Sequence, residues 1–167
     1  IEPNNAWAHM GAAEALSTGN NPEEVNAHLE AVQTHIASPP GARLRALVMA
    51  ITSRMERDQL DEAVDLLEDA WNLAESDELP TMELYALEAS LAFINRRRDE
   101  VQEFIDAALE EAPNYGDAYA IPGYFASITR FYEESGEFYE QAVAIEPENW
   151  NAHLELGQNY LRLNRIE

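Results

Sequence analysis

The chain reads as all-α, a stack of helical hairpins, and three observations in the sequence carry that reading. Pro113 and Pro147, in an Ala-Pro and a Glu-Pro pair, stand 34 residues apart, the length of one helix–turn–helix unit in a stacked array. Small or β-branched residues at Val25, Ala63, Val101 and Ser135 mark the second helix of each unit at intervals of 38, 38 and 34. The longer units therefore carry about one extra helical turn. Apolar residues recur with helical period, and no stretch shows the alternation of a strand.

The elements follow in order from breakers and polar turns. The first helix runs over about 6–18 and stops at Gly19-Asn20-Asn21-Pro22; the second, over about 22–37, stops at Ser38-Pro39-Pro40-Gly41. The third spans about 42–57 and ends in the polar turn Arg57-Asp58. The fourth, about 60–75, has Leu60, Ala63, Val64, Leu67, Ala70, Trp71 and Ala74 on one amphipathic stripe, with Leu66 and Leu73 adding a second. A helix apolar on two sides is expected between neighbours. Ser76-Asp77-Glu78-Leu79-Pro80 closes that unit, and the fifth helix, about 80–95, turns at Arg97-Arg98-Asp99 into the sixth, about 99–111. Pro113-Asn114-Tyr115-Gly116 precedes the seventh, about 117–131, in which Pro122 removes one backbone donor and is expected to kink the axis. The eighth, about 134–146, ends at Pro147-Glu148-Asn149, and the ninth covers about 150–164.

The run Asn151-Ala152-His153-Leu154-Glu155-Leu156-Gly157-Gln158-Asn159-Tyr160, after Glu146-Pro147-Glu148-Asn149, resembles the tetratricopeptide repeat signature, in which Leu-Gly is followed shortly by Tyr. Ala63 and Ala70 around Leu67, and Ala142 after Tyr139 closing on Pro147, are similar to its second-helix half. The resemblance implies a right-handed α-solenoid with repeats at about 5–38, 43–76, 81–115 and 116–149 and a partial unit at 150–167. Small residues at Ala13, Ala89, Gly123 and Gly157 let each first helix approach its partner, while Leu47, Tyr85 and Tyr119 fill the space beside them. Arg54 departs from the pattern, standing where the signature has tyrosine, and Ala92 and Ala126 occupy that site in the next two units.

The family's known use of its concave face, lined by the first helices, implies a partner-binding groove. Taking the side opposite the packing residues selects Trp7, Met10, Glu14, Arg45, Val48, Met49, Thr52, Met55, Ala86, Ser90, Phe93 and Tyr124, with Met49 the member closest to the core. The clamp by which some members hold acidic C-terminal tails needs lysines on these helices. None is present, and Met10 and Glu14 occupy its sites in the first unit.

Composition bounds the function. The 167 residues carry 32 acidic side chains against 10 basic ones, all arginine, for a net charge of −22. Such a field repels nucleic acid and anionic lipid, whose binding rests on neutralising phosphate, and favours a neutral or basic protein segment. The acidity reads as a solvated surface, or as adaptation to salt. No apolar run is long enough to span a membrane, and the absence of cysteine excludes disulfides and thiolate chemistry.

The remaining constellations are structural. His9 and His153 hold equivalent places in two units; His28 and His35 lie seven apart, too far for one metal ion without a third ligand. Glu110-Glu111 and Glu133-Glu134 diverge around their helices, and Arg96-Arg97-Arg98 reads as capping and ion pairing at a turn, with a docking point as the alternative. No nucleophile–base pair, phosphate loop, metal box or cofactor motif is seen, so no enzymatic activity and no cofactor is expected. The first reading is a protein–protein interaction module or scaffold gripping a peptide or helix in its groove; the others are a substrate-recruiting arm of a larger enzyme and a self-associating scaffold. Ile1-Glu2-Pro3 copies Ile145-Glu146-Pro147, so the chain is expected to be a segment of a longer array. Leu154, Leu156, Tyr160, Leu161, Leu163 and Ile166 leave an apolar side on the last helix for more chain, or another copy, to cover.

Overall fold

The computed structural model describes residues 6–17, 22–34 and 39–163, and every regular element among them is an α-helix. In order these are α1 (Ala6–Ser17), α2 (Pro22–Thr34), α3 (Pro40–Glu56), α4 (Leu60–Asp77), α5 (Met82–Ile94), α6 (Arg98–Glu111), α7 (Asp117–Ile128), α8 (Tyr132–Ile145) and α9 (Trp150–Arg162). Each sits within three residues of the span the sequence predicts. The joint at 18–21, His35 and Ile166 lie outside the described residues. The chain divides into two compact units, Ile1–Pro80 and Thr81–Glu167.

In the first unit α1 pairs with α2 and α3 with α4, and α2 lies against α3. Its core takes Ala6, Met10 and Ala13 from α1, Val25, Leu29 and Val32 from α2, and Ala42, Ala46 and Ala50 from α3. The run of alanines on α3 has no bulk to hold α2 away, so the two backbones close up. Met49 and Leu66 pack on this cluster, which gives α4 the second contact side expected of it. Val64, placed by periodicity on the buried stripe, is instead 49% exposed, while Ala63, Leu67, Ala70, Leu73 and Ala74 carry the contact. Arg54 replaces the signature tyrosine by polar bridging: Nε donates to Glu62 Oε2 at 2.8 Å and Nη1 to Asn26 Oδ1 at 3.2 Å, tying α3 to α4 and α2.

In the second unit α5 pairs with α6, α7 with α8, α5 stacks on α7, and α9 closes on α8 and α7. Ala89, Ala92 and Phe93 of α5 meet Val101, Ile105 and Ala108 of α6 and Ala118 and Ala126 of α7. Phe93 is met edge-on by Phe131 and Phe138, with ring centroids 5.7 and 5.6 Å away. Further along, Ala120, Tyr139, Ala142 and Ala152 join α7, α8 and α9. Gly123 marks a close approach there, because a Cβ at that position would stand 3.2 Å from the Phe138 Cβ. Pro122 lies buried inside α7, which runs on to Ile128. Helix ends are tied down by polar groups. The Glu111 carboxylate accepts from Thr81 N–H at 3.0 Å and Thr81 Oγ1 at 2.6 Å, satisfying the orphan end of α5, and Asn149 Oδ1 accepts from Ala152 N–H at 3.0 Å to cap α9.

Among the described residues, the three turns inside hairpins share one geometry. Asp58, Arg96 and Arg130 have φ of 61°, 60° and 67°, and the next residue's N–H reaches back to Arg54, Ala92 and Ala126 carbonyls at 2.9, 2.8 and 2.8 Å. This is the Schellman closure, whose left-handed residue is ordinarily glycine. Their spacing, 38 then 34, repeats the sequence period.

Two substitutions test these assignments. Arg130→Gly relieves a left-handed residue at an exposed site and is expected to raise stability by about 1 kcal/mol in thermal or urea unfolding. Gly116→Ala places a Cβ 2.8 Å from Glu146 Cβ and 3.1 Å from the Ala142 carbonyl oxygen, and is expected to cost about 1–3 kcal/mol; an unchanged midpoint would contradict that packing.

Candidate interaction surfaces

Because the units repeat, one register can be followed from helix to helix. Positions 44, 48, 51 and 55 of α3 correspond to 82, 86, 89 and 93 of α5, to 116 at the N-cap of α7 and 120, 123 and 127 within it, and to 150, 154, 157 and 161 of α9. In α5 and α7 this stripe is covered. Ala86 and Ala89 are fully buried, Phe93 is 2% exposed, and Ala120 and Ser127 are 8% and 6% exposed. On α7 the cover is visible residue by residue: Glu146 over Gly116, Tyr139 and Ala152 with Ala120, Phe138 over Gly123, and Arg162 Nη1 donating to Ser127 Oγ at 2.6 Å. On α9 the same stripe is open. Trp150, Leu154 and Leu161 are 74%, 51% and 59% exposed, and a Cβ built at Gly157 meets nothing within 4 Å.

This register explains where the groove residues expected from sequence fall. Met10, Val48, Met55, Ser90 and Phe93 are buried, so in this conformation their side chains take the packing role. Met10 and Phe93 belong to the cores described above, and Ser90 Oγ donates to the Ala86 carbonyl at 2.8 Å. Ala86 is buried as well. Arg45 is exposed, Thr52 and Tyr124 are half-buried, and the side chains of Trp7 and Glu14 lie outside the described residues. The first helices α1, α3, α5 and α7 are covered on two sides, by their own second helix and by a neighbouring hairpin, leaving at most a narrow outer row; on α5 the positions of that row, Leu87 and Ser90, are buried as well. On α7 that row is Ile121, Tyr124 and Ile128, with Ile128 43% exposed.

Two side-chain groups went unseen in the sequence. His9 Nδ1 and His28 Nδ1 lie 2.8 Å apart across α1 and α2. In repeat register these two positions match Tyr119 and Phe138, whose rings also pair, so the signal lay in aligning the units rather than in any histidine spacing. The second group is a polar chain in the interior of the second unit: Asn159 Nδ2 donates to Ser135 Oγ at 2.6 Å, and Ser135 Oγ donates to the Gly123 carbonyl at 2.8 Å. Tyr139 is packed nearby, and burial pushes its phenol above the ordinary range.

The arginine cluster is engaged locally. Arg97 pairs with Glu100, Arg98 lies 3.9 Å over the Phe93 ring and 3.7 Å from Glu134, and Arg96 sits 5.6 Å from the Phe131 centroid. The Arg98 site borders a cleft of about 190 Å³ lined also by Val101, Gln102 and Phe138. A wider cleft of about 440 Å³ in the first unit sets Arg43 among Asp69, Asp77 and Gln33. Among the described residues no group of three or more His, Asp or Glu side chains is placed to hold a metal ion, and no helix is long and apolar enough to cross a membrane.

The architecture is that of tetratricopeptide-like helical-hairpin repeats. Two solved structures share it: the crystal structure of MamA protein, at 18% identity and a TM-score of 0.53 over 93% of this chain and 80% of that one, and MamA 41-end from Desulfovibrio magneticus RS-1, at 16% identity and 0.55 over 98% and 87%. Likeness at this identity establishes the fold alone. No protein-family model and no curated protein matches the sequence.

At the joint before α7, burial raises the Asp117 carboxyl above its ordinary value, the Asn149 side-chain hydrogen bond opposes the shift, and the nearby Glu146 charge adds to it. Asn149 Nδ2 donates to Asp117 Oδ1 at 3.2 Å and to Glu146 Oε2 at 3.1 Å. A carboxyl raised in the folded state binds its proton more tightly there than when unfolded, so its ionisation costs stability at neutral pH, and stability rises as pH falls through that window. Asp117→Asn is expected to be more stable than the parent at neutral pH, with the difference shrinking toward about pH 4 in unfolding midpoints. A constant difference across that range would contradict the assignment.

Proposed function

We propose that the chain is a protein-interaction scaffold that holds an extended or helical segment of a neutral or basic partner against the outer row of α7. The observation that carries this reading is the half-exposed apolar row Ile121, Tyr124 and Ile128 on α7, standing in a chain of net charge −22. Apolar anchors supply binding energy where water is expelled, and the surrounding negative field draws in and orients a segment bearing Lys or Arg. Arg45 and Thr52 occupy the corresponding outer row of α3 and are the contact candidates of the first unit.

Selection of peptides from a random display library against the purified chain tests the proposal. Enriched peptides are expected to combine apolar anchors with basic residues, to bind more weakly as salt rises, and to lose at least about tenfold in affinity to Tyr124→Ser/Ile128→Ser. The helical circular dichroism of that variant should match the parent. Peptides that bind parent and variant equally would place the contact elsewhere.

A further inference from the structure

We infer that the cleft beside Arg98, on the second-helix side of the second unit, is a docking pocket for an arginine side chain of a partner protein. The cleft exists because α5 and α7 stack on each other while α6 and α8 have no comparable packing between them. About 190 Å³ is left at that seam, room for one long side chain and too little for a helix. Its floor is apolar, formed by Val101 and Phe138 with the buried Phe93. Gln102, Glu134 and Glu137 stand around it.

The repeat register shows what fills the same seam in the first unit. Steps of 38, 38 and 34 residues set Asn26 equivalent to Gln102, Glu62 to Glu134 and Arg54 to Ala126. In the first unit the Arg54 guanidinium bridges that acceptor pair, Nε donating to Glu62 Oε2 at 2.8 Å and Nη1 to Asn26 Oδ1 at 3.2 Å. In the second unit both acceptors are kept and the arginine is gone, since the buried Ala126 has no side chain to send between them. Arg98 does not take its place. The Arg98 guanidinium lies 3.9 Å over the Phe93 ring with Nη2 still 3.7 Å from Glu134 Oε1, and among the described residues no hydrogen bond from it reaches Gln102.

The side-chain amide donors of the cleft are spent, and acceptors remain. Gln102 Nε2 donates to Asp106 Oδ1 at 2.7 Å and to Tyr119 Oη at 3.2 Å, which uses both of its N–H groups and leaves Oε1 to accept. Glu137 has no hydrogen-bond or ion-pair partner among the described residues. The complement is a cation with several N–H donors on an apolar stem, which is the arginine side chain. Gln102 and Glu137 lie beyond the first turns of α6 and α8, where the positive helix ends no longer oppose a cation. Glu103, Asp106 and Glu140, exposed on the same two helices, draw a basic segment in. This pocket belongs to second helices and the α7 row to a first helix, so either reading can fail without the other.

Titration of the purified chain with N-acetyl-arginine methylamide, followed by NMR at the Val101 methyls and the Gln102 side-chain amide, is the test. Both signals are expected to shift saturably, and binding to weaken as salt rises. N-acetyl-citrulline methylamide keeps the shape without the charge and is expected to leave them unmoved. Glu134→Gln/Glu137→Gln is expected to weaken the arginine probe by at least about fivefold with the helical circular dichroism unchanged. Glu103→Gln/Glu110→Gln removes the same charge outside the cleft, and its effect is expected to stay under about twofold. Absence of a saturable shift at the two signals, or equal binding of the citrulline probe, would overturn the proposal. Equal weakening by the two double variants would overturn it as well, by reducing the effect to the general field of the chain. Butylguanidine, which has the stem and the charge but no peptide backbone, separates the two sources of a guanidinium. Tighter binding of butylguanidine than of the blocked arginine would assign the pocket to a small free cation, against a protein side chain.

Discussion

Close approach of helices at alanine and glycine is the constraint on which this structure rests. Ala13, Ala89, Ala92, Gly123 and Ala126 have no side chain large enough to hold a neighbouring backbone away, so the first helices α1, α5 and α7 are each covered by their own second helix and by a neighbouring hairpin. Large side chains enter only at the seams, as Phe93 does between Phe131 and Phe138. Covering a helix on two sides leaves at most a narrow strip for solvent. Packing thus decides which residues are available for function before any chemistry of the surface is considered.

Charge is sorted by the same geometry. The acidic residues lie mostly on outward-facing turns of the second helices, such as Glu103 and Asp106 on α6 and Glu137 and Glu140 on α8. The few arginines are used between elements. Arg54 joins α3 to α2 and α4, Arg98 lies flat over Phe93 while pairing with Glu134, and Arg162 donates to Ser127 with its guanidinium 5.5 Å from the Tyr132 centroid. Lying over a ring while pairing with a polar group suits a planar guanidinium, which the lysine ammonium lacks, so arginine has a structural reason at Arg98 and Arg162.

The helices were legible because their boundaries rest on local chemistry: prolines at the joints, polar turns within hairpins, and a period that repeats. The hairpin turns confirm how regular that period is, since Asp58, Arg96 and Arg130 adopt the left-handed closure at the same register. Side assignment was harder. Met10, Val48 and Ala86 share one register, and apolar residues recurring at one register in three units are the mark of a core position; reading them as one wall of a groove treated the helix as having a single buried face. The pairing of His9 with His28 was equally available from register, because it stands where Tyr119 meets Phe138. The exposure of Val64 was not, since period alone put it on the same stripe as Ala63 and Leu67.

The last helix shows what the repeat logic determines and where it stops. α9 obeys the fold on one side: Ala152 and Asn159 are buried, Asn159 joins the chain through Ser135 to the Gly123 carbonyl, and Tyr160 Oη donates to Glu140 at 2.9 Å. On the other side it keeps the register: Trp150, Leu154, Gly157 and Leu161 stand where α3 has Leu44, Val48, Ile51 and Met55 and α5 has Met82, Ala86, Ala89 and Phe93, so the core positions of the repeat continue into the last helix even where they are exposed.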